Sequence, residues 1–471
     1  MRDAPEFSQS SIGKLKVDLD IIRRFDFDTQ HYSLYPKINR FIEAFNAPTY
    51  INWVNNRKIG GARRPLSIYV HFPFCSSLCF HCSYNHIVSN SKTNIKQYLG
   101  FLLREIKLQG ELFRDDSLVE QVHFGGGTPT LLSDNQLRSV MSEIKQNFNL
   151  IKDGDYSVEI DPRQVTNKSI VALKKMGFNC AILGVQDFDH EVQQAIHRFQ
   201  NEEDTLRVIQ AAQYEGFRSI NIELVYGLPK QSVEKFDRTL KKIINVRPTQ
   251  ISLLSYVHLP VEFKPQRQIK NDDLPLTEVK LEIVQHAVDR LSNAGYVHLG
   301  INHFARSDDK LVVAQQQGRL YHHLHGYSTH MDSDLIGLGV SAIGSIGPTY
   351  SQNYCDLRLY YDRLEQNVLP IMRGLELTND DLVRRLVMHM LICNSILSFE
   401  SIETVFPIDF KHYFAIELAN LLEYQKLDLL TLDDDEITIT PKGRLLICSI
   451  CMVFDKYQRA RNKRERHFKI I

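Results

Sequence analysis

The sequence predicts an α/β fold, a TIM-like partial (βα)6 barrel with an N-terminal extension and a small, mainly helical C-terminal domain. Between residues 65 and 257, short apolar runs alternate with amphipathic helical stretches, a pattern typical of βα units around a parallel sheet. Six units are fewer than the eight of a closed barrel. We therefore expect an open sheet, with ligands bound at the carboxyl ends of its strands.

Each predicted strand is a short apolar run that is followed by a polar or glycine-rich loop. The predicted strands cover residues 67–72, 121–124, 157–161, 181–186, 219–225 and 250–257. The helices between and after them cover residues 96–113, 136–148, 167–176, 204–214, 233–244 and 277–295.

The chain of 471 residues is long enough for further parts on both sides of the barrel. We predict an N-terminal extension over residues 1–64, the barrel over 65–260, a barrel extension with the substrate region over 261–360, and the C-terminal domain over 361–471. A short β segment is expected at 436–440 within the last part.

Composition favours neither nucleic acid nor an anionic membrane as partner, because 56 Lys and Arg residues balance 56 Asp and Glu residues. The tail at 456–469 is a local exception, with seven basic residues and one acid. It is either a solvated helix end or a site for an anionic partner. The N-terminus lacks the apolar core of a signal peptide and no run of 18 apolar residues occurs, so we expect a cytoplasmic monomer without a membrane span.

Three of the eight cysteines are closely spaced, directly after the first predicted strand. Cys75, Cys79 and Cys82 allow one loop to surround one metal centre. Iron–sulfur clusters take thiolate ligands, and three of them leave the fourth iron of a cubane open to a small ligand. A zinc site completed by His81 or His86 is the alternative, although structural zinc usually takes separated ligand pairs.

The other five cysteines are scattered through apolar or helical stretches, unlike a disulfide framework. We interpret them as buried or uninvolved thiols. They are Cys180, Cys355, Cys393, Cys448 and Cys451.

The cysteine spacing is the signature of the radical S-adenosylmethionine (SAM) superfamily. Over nearly its whole length, the chain resembles the oxygen-independent coproporphyrinogen III oxidase (dehydrogenase) family of haem biosynthesis. The stretches that carry this resemblance are residues 32–36, 69–75, 125–130, 159–163, 184–188, 226–231, 303–306, 337–343 and 442–447.

The resemblance implies a [4Fe-4S] cluster on the three cysteines, one SAM at the open iron and a second SAM nearby. The residues implied for the first SAM are Tyr69, Gly126, Glu159 and Ile343, and those implied for the second are Gly127, Thr128, Gln186, Arg198, Glu223 and Val257. A glycine turn lets the backbone approach a ligand closely. The carboxylate of Glu159 suits ribose hydroxyls, and the guanidinium of Arg198 suits a carboxylate. The alternatives are a bare turn for the glycines, an exposed strand-end acid for Glu159 and a surface ion pair for Arg198.

The implied reaction uses a 5′-deoxyadenosyl radical from SAM and a low-potential electron donor. It converts two propionates of coproporphyrinogen III into the vinyl groups of protoporphyrinogen IX. A cationic, histidine-rich pocket is then expected for this tetrapyrrole, unless the histidine loop simply faces solvent. The candidates are His303, Arg306, His322, His323 and His325.

The sequence departs from the family pattern at four positions. Tyr84 stands where the family has a fourth cysteine, and His81 stands where it usually has an aromatic residue. Glu223 and Asn302 each stand where the family has an aspartate. Tyr84 cannot act as a thiol, so two alternatives are kept. One is a related radical SAM enzyme that acts on another tetrapyrrole, including haem ring opening or methyl transfer, and the other is a haem-binding chaperone without decarboxylase activity.

Overall fold

The computed structural model describes residues 19–25, 34–57, 64–83, 87–88, 91–324, 326–330 and 333–458. Tyr32, Tyr84, His86, His325 and the tail from residue 459 onward lie outside these ranges. What the sequence predicts for them stays a prediction.

The barrel is built from the predicted alternation of strands and helices. Its strands up to β8 are β1 (Leu66–Phe72), β4 (Leu118–Gly126), β5 (Asn149–Ile160), β6 (Cys180–Gln186), β7 (Ser219–Tyr226) and β8 (Gln250–Ser255). Two short strands after β1, β2 (Phe74–Cys75) and β3 (Ile87–Val88), form a separate pair. The helices up to β8 are α1 (Leu19–Phe25), α2 (Ala47–Asn56), α3 (Lys92–Leu112), α4 (Asp134–Asn147), α5 (Asn167–Met176), α6 (His190–Ala195), α7 (Glu202–Tyr214) and α8 (Val233–Val246).

Between β8 and Asn379, the chain forms further helices and short strands. The helices are α9 (Thr277–Asn293), α10 (Lys310–Gln316) and α11 (Leu357–Glu365). The strands are β9 (Tyr296–Gly300), β10 (His303–Arg306), β11 (Tyr321–His323), β12 (Gly326–Ser328), β13 (Asp334–Leu338), β14 (Ile343–Gly344), β15 (Thr349–Asn353) and β16 (Ile371–Glu376).

The main sheet has the order β13-β1-β4-β5-β6-β7-β8-β10-β9. The six predicted strands run parallel in sequence order, β13 adds a further parallel strand beside β1, and β10 pairs antiparallel with β8. Because β13 and β9 form opposite edges, the sheet is an open barrel, as predicted. The sequence analysis missed β13 and the β9–β10 hairpin.

Alternation along the strands divides apolar from polar side chains. On β1, Leu66, Val70 and Phe72 are fully buried in the core shared with the surrounding helices. Tyr69 and His71, between them, face the barrel interior and line its cavity. The interior of this barrel is therefore lined by polar groups that are available to a ligand.

The C-terminal part has its own apolar core, which also takes in residues from α10 and β9. It consists of α12 (Asn379–Asn394), β17 (Ile396–Ser398), α13 (Phe399–Val405), α14 (Phe410–Tyr413), α15 (Ala415–Lys426), β18 (Leu430–Leu432), β19 (Glu436–Ile439) and α16 (Ile447–Met452). The predicted β segment is β19, but it is the central strand of a three-stranded sheet rather than isolated. In the part of the chain that the structure describes, no helix is long and apolar enough to cross a membrane.

A buried carboxylate on α3 ties the edge of the sheet to the helices. Glu105, which is 0% exposed, accepts hydrogen bonds from Tyr360 Oη at 2.6 Å, Gly339 N at 2.7 Å and Asn353 Nδ2 at 2.7 Å. Burial raises the pKa of Glu105 to about 7, although these three hydrogen bonds act in the opposite direction. The network fixes the turn after β13 that leads to Ile343.

Glu105→Leu is expected to lower the free energy of unfolding by at least about 3 kcal/mol, because each buried donor left without an acceptor costs about 1–3 kcal/mol. Chemical denaturation measures this loss. Glu111→Leu, on the exposed face of the same helix, should change stability by less than about 0.5 kcal/mol. An equal effect of both substitutions would contradict a structural role for the Glu105 network.

Candidate active site

One cavity of about 1100 Å³ opens at the carboxyl ends of the parallel strands. The sequence-predicted site residues that line it are Tyr69, Cys75, Cys79, His81, Cys82, Gly126, Gly127, Thr128, Glu159, Gln186, Arg198, Glu223, Val257 and Ile343. These residues span more than 270 positions of sequence, and the parallel strand order brings them together.

The cysteine loop follows β1 and turns within a few residues, with Cys82 N donating to Cys79 O at 3.3 Å. Thr128 Oγ1 lies 3.6 Å from Cys75 Sγ, and Arg198 Nη1 lies 3.7 Å from Cys79 Sγ. All three thiols are partly exposed and none forms a disulfide. The loop thus offers three sulfur ligands, two of which accept from neighbouring donors.

Burial raises the pKa of the Cys75 thiol to about 11, while the Thr128 hydrogen bond acts in the opposite direction. A bound metal overcomes such a penalty, because it holds its cysteine ligands as thiolates. Among the described residues, no three His, Cys, Asp or Glu side chains converge on a single metal ion. A cubane does not require that convergence, since each cysteine binds its own iron atom.

Glycines leave room beside the cysteine loop. A β-carbon on Gly127 would lie 2.6 Å from Phe74 O and 3.0 Å from Cys75 Sγ, and one on Gly126 would lie 2.6 Å from His71 Nδ1. Gly126 also has a φ of 110°, which other residues rarely adopt. These positions require glycine for close packing as well as for backbone geometry.

Glu159 is held at the carboxyl end of β5 by two neighbours. Gly126 N donates to its Oε2 at 3.1 Å, and His123 Nε2 lies 3.1 Å from its Oε1. His123 Nδ1 is in turn 2.7 Å from Ser157 Oγ, and the Tyr69 ring stacks on the His123 ring with centroids 5.6 Å apart. The carboxylate is oriented toward the cavity rather than exposed at a strand end.

Three polar side chains meet over Gly184, at the end of β6. A β-carbon on Gly184 would lie 2.9 Å from Gln186 Nε2, 3.3 Å from Arg198 Nη2 and 3.8 Å from Glu223 Oε2. Gln186 Oε1 and Arg198 Nε are buried and have no hydrogen-bond partner among the described residues. Buried polar atoms normally have partners, so these groups fit a polar ligand.

Charge is balanced closely in this part of the cavity. Burial and, to a smaller extent, the charge of Glu159 raise the pKa of Glu223 to about 7, although Arg198 acts to lower it. Burial would also raise the pKa of Asp161, but hydrogen bonds from Arg163 and the charge of Arg198 hold it below its ordinary value. A cationic ligand would be stabilised between Glu159 and Glu223.

The histidine-rich part of the cavity is not cationic, contrary to the sequence-based expectation. Burial lowers the pKa of His303 and His323 to about 4 and that of His322 to about 3, so all three rings are neutral at pH 7. Arg306 lies outside the cavity, where its Nε donates to Asp308 Oδ1 at 2.9 Å.

Both ring nitrogens of His303 have hydrogen-bond partners within the protein. Its Nδ1 lies 3.0 Å from Ser252 Oγ, and its Nε2 lies 3.3 Å from Gln250 Oε1. Gln250 donates its amide to Asp309 Oδ2 at 3.0 Å, so its oxygen faces the ring and the ring proton sits on Nε2. His303 therefore shapes the cavity wall and does not supply a charge.

Sequence reasoning missed His71, His123, Ser157 and Asp161, which all line the cavity. His71 and Asp161 lie inside the motif stretches already singled out. His123 gave a further signal, since a histidine interrupts the apolar β4 run. Ser157 gave no such signal, because its role depends on its register opposite His123.

At the opposite end of the strands, His330 bridges two carboxylates. Its Nδ1 lies 3.0 Å from Glu120 Oε2 and its Nε2 lies 3.2 Å from Asp155 Oδ2. The hydrogen bond with Asp155 raises the pKa of His330 above its ordinary value, against the effect of burial. Lys310 also pairs with Asp155.

His330→Gln is expected to lower the free energy of unfolding by about 1–2 kcal/mol at about pH 6, and by less at about pH 9. The sign follows from the raised pKa, because the native protein holds the proton more tightly than the unfolded chain. This stabilisation is complete below the unfolded pKa of about 6.5 and is lost as the pH rises through the folded value. Denaturation at both pH values measures it, with His412→Gln at an exposed position as control. A pH-independent difference would contradict the ionised bridge.

Comparison with known proteins places this site in a family. The profile of the radical SAM superfamily matches residues 69–243, and that of the HemN C-terminal domain matches residues 377–446. The oxygen-independent coproporphyrinogen III oxidase of Pseudomonas aeruginosa is 44% identical over 459 residues, covering 97% of this chain and 99% of that protein. The chain belongs to the family of oxygen-independent coproporphyrinogen III oxidases.

Other relatives support the same family assignment. The oxygen-independent coproporphyrinogen III oxidase of Escherichia coli K12 is 40% identical over 461 residues, covering 98% of this chain and 100% of that protein. A solved structure of coproporphyrinogen III oxidase (HemN) from Escherichia coli, described as a radical SAM enzyme, matches with a TM-score of 0.89 and 41% identity over 94% of this chain and 100% of that chain. The predicted family resemblance and the predicted fold are both confirmed.

The protein is therefore a radical SAM oxidoreductase, and a [4Fe-4S] cluster and SAM are its cofactors, as is characteristic of the superfamily. The residues fit these groups. Three thiols from one loop match a cubane with one open iron. The buried atoms without hydrogen-bond partners over Gly184, counted among the described residues, match a polar ligand beside the cluster.

Proposed function

We propose that this protein oxidatively decarboxylates two propionates of coproporphyrinogen III to vinyl groups, without oxygen, in haem biosynthesis. The observation that carries the proposal is the continuity of one cavity of about 1100 Å³, which holds the cysteine loop, Glu159 and the Gly184 cluster. That volume exceeds the range of about 300–1,000 Å³ that is typical of ligand pockets, as a site for a large substrate beside a cofactor requires. The named activity of the relatives supports the same conclusion.

In this proposal, Cys75, Cys79 and Cys82 hold the cluster. When bound, the cluster and SAM would supply a radical that removes a hydrogen atom from a propionate side chain. Loss of CO2 and transfer of one further electron to an external electron acceptor would then leave the vinyl group. The cavity walls orient the two ligands and exclude water. The low-potential electron donor is an external partner.

Four residues surround the proposed first SAM. Glu159 is held by Gly126 N and His123 and accepts hydrogen bonds from the ribose hydroxyls. Tyr69 and Ile343 line the same cavity. They are neighbours, because Tyr69 is paired with Gly337 and a β-carbon on Gly337 would lie 2.5 Å from Ile343 O.

The Gly184 cluster forms the proposed second SAM site, together with Gly127, Thr128 and Val257. Arg198 joins the two parts, because it donates to Gly184 O at 2.8 Å and lies 3.7 Å from Cys79 Sγ. Gln186 takes a left-handed φ of 66°, a costly conformation that is typical of residues held for a function.

Glu159→Gln is expected to raise the KM for SAM by about 10- to 100-fold, because a charge-assisted hydrogen bond contributes about 1.5–3 kcal/mol. Methionine formation at varied SAM concentration measures the effect. Glu203→Gln, an exposed position on α7, serves as control and should leave KM unchanged. An unchanged KM in Glu159→Gln would remove this residue from the ribose site.

The decisive experiment is anaerobic reconstitution, followed by coproporphyrinogen III, SAM and a low-potential reductant. Formation of CO2, methionine and protoporphyrinogen IX supports the proposal. SAM cleavage without protoporphyrinogen would indicate an enzyme for another tetrapyrrole, and stable haem binding without SAM turnover would indicate a chaperone. Gain of activity in Tyr84→Cys would then place the divergence at the missing fourth cysteine.

A further inference from the structure

A second cavity of about 120 Å³ adjoins the main one at the β11–β12 hairpin. We call it the side pocket. It shares five lining residues with the main cavity, namely Ser67, His322, His323, Leu324 and Leu335. Its other walls come from the N-terminal segment at residues 34–35, the start of β13 and one face of α12. The side pocket is thus formed by segments from four distant parts of the sequence.

The two cavities differ in charge. The described residues that line the side pocket include one arginine and four histidines, but neither Asp nor Glu. The main cavity is lined by four acids, Asp155, Glu159, Asp161 and Glu223, and by four bases, Arg163, Arg198, Lys280 and Lys310. Arg385 is therefore the charged group that an anion would meet in the side pocket, because burial lowers the pKa of His322 to about 3 and that of His323 and His389 to about 4, which leaves these rings neutral.

Arg385 of α12 supplies the positive charge of the side pocket. Its Nη1 donates to Tyr350 Oη at 3.4 Å, and its guanidinium lies 6.0 Å from the centre of the Tyr350 ring. Tyr350 is itself held by donating to Tyr35 O at 3.0 Å. Arg385 is thus kept in place by a fixed aromatic ring, and a planar guanidinium is the group best matched to a carboxylate.

A second polar group of the side pocket is the hydroxyl of Ser333. Ser333 Oγ lines it, is buried, and has no hydrogen-bond partner among the described residues. Buried hydroxyl groups in proteins are normally hydrogen-bonded, so the Ser333 hydroxyl fits a polar ligand. Ser333 precedes β13, whereas Arg385 lies on α12, so the two donors come from different walls.

We infer that the side pocket binds a carboxylate arm of the tetrapyrrole substrate through Arg385 and Ser333, and that Arg385 is a specificity-determining residue. This inference rests on the proposed function, whose substrate carries four propionates of which two survive the reaction. A surviving propionate that passes beside His322 and His323 would anchor the macrocycle in the main cavity. Another propionate is then left facing the cysteine loop.

The test measures binding by the reconstituted full-length protein, without turnover. Its probe is coproporphyrin III, a fluorescent oxidised form of the substrate with the same four propionates, and SAM binding is measured in parallel. Arg385→Met should weaken coproporphyrin III binding at least tenfold and leave SAM affinity unchanged. Arg363→Met is the matched control, because Arg363 also donates to a tyrosine hydroxyl, that of Tyr354, at 3.2 Å and lies 5.6 Å from its ring centre.

A second pair of variants tests the side pocket without altering Arg385. Ser333→Asp places a carboxylate in the pocket and should weaken coproporphyrin III binding about tenfold, whereas the neutral Ser333→Asn should weaken it much less. If Arg385→Met does not fold, the difference in coproporphyrin III binding between Ser333→Asp and Ser333→Asn tests the inference instead.

Wild-type affinity in both Arg385→Met and Ser333→Asp would overturn the inference. An equal loss of SAM affinity in Arg385→Met would also overturn it, since the arginine would then serve the SAM carboxylate. If the wild type binds coproporphyrin III in this way but forms no protoporphyrinogen, the side pocket stands and the proposed reaction fails. If the wild type decarboxylates the substrate and both variants bind normally, only the side pocket fails.

Discussion

Replacing Cys79 with alanine is expected to abolish cluster assembly and all turnover of SAM. The three cysteines that we propose as ligands come from one loop, and the two that remain could not retain a cubane that already has one open iron. Arg198 also loses the sulfur that lies 3.7 Å from its Nη1. Iron and sulfide content, the electron paramagnetic resonance signal of the reduced protein and methionine formation should all fall to background.

Cys355→Ala is the matched control for this substitution. Cys355 is an exposed free thiol whose sulfur lies 4.0 Å from Asn353 O. Its replacement should leave iron content and turnover at wild-type levels. Full iron content in Cys79→Ala would instead mean that this cysteine is not a ligand, and equal losses in both variants would point to general thiol damage.

The strand pattern of the barrel was readily predicted from sequence, because each strand is an apolar run that ends at a polar loop. Predicted strand 219–225 corresponds to β7 (Ser219–Tyr226), and predicted helix 167–176 matches α5 without error. The cysteine loop was equally evident, because its spacing lies within eight residues. These features depend on neighbours in sequence.

Features that depend on distant neighbours were not predicted. β13 has only five residues, and its place beside β1 arises from pairing across more than 260 positions. The neutral state of His322 and His323 follows from their desolvation inside the protein, which the sequence does not reveal. The role of His123 likewise becomes evident only when the register places it opposite Ser157.

Gly127→Ala is expected to lower the rate of SAM cleavage by about 100-fold, a typical cost of a small misplacement at a reacting centre. The added β-carbon would lie 2.6 Å from Phe74 O and 3.0 Å from Cys75 Sγ. The neighbouring chain cannot easily yield, since Gly127 N donates to Phe72 O at 2.7 Å and β2 is paired with β3. The strain therefore displaces the Cys75 ligand.

Gly100→Ala separates this effect from a general response to the added methyl group. Gly100 lies in α3, where a new β-carbon would meet nothing within 4 Å. Alanine there should stabilise the helix by up to about 1 kcal/mol and leave turnover unchanged. Loss of both iron and turnover in Gly127→Ala would assign this glycine to the cluster loop, whereas loss of turnover with full iron would assign it to SAM. Wild-type turnover in Gly127→Ala would show that the loop can move, and that the glycine serves neither group.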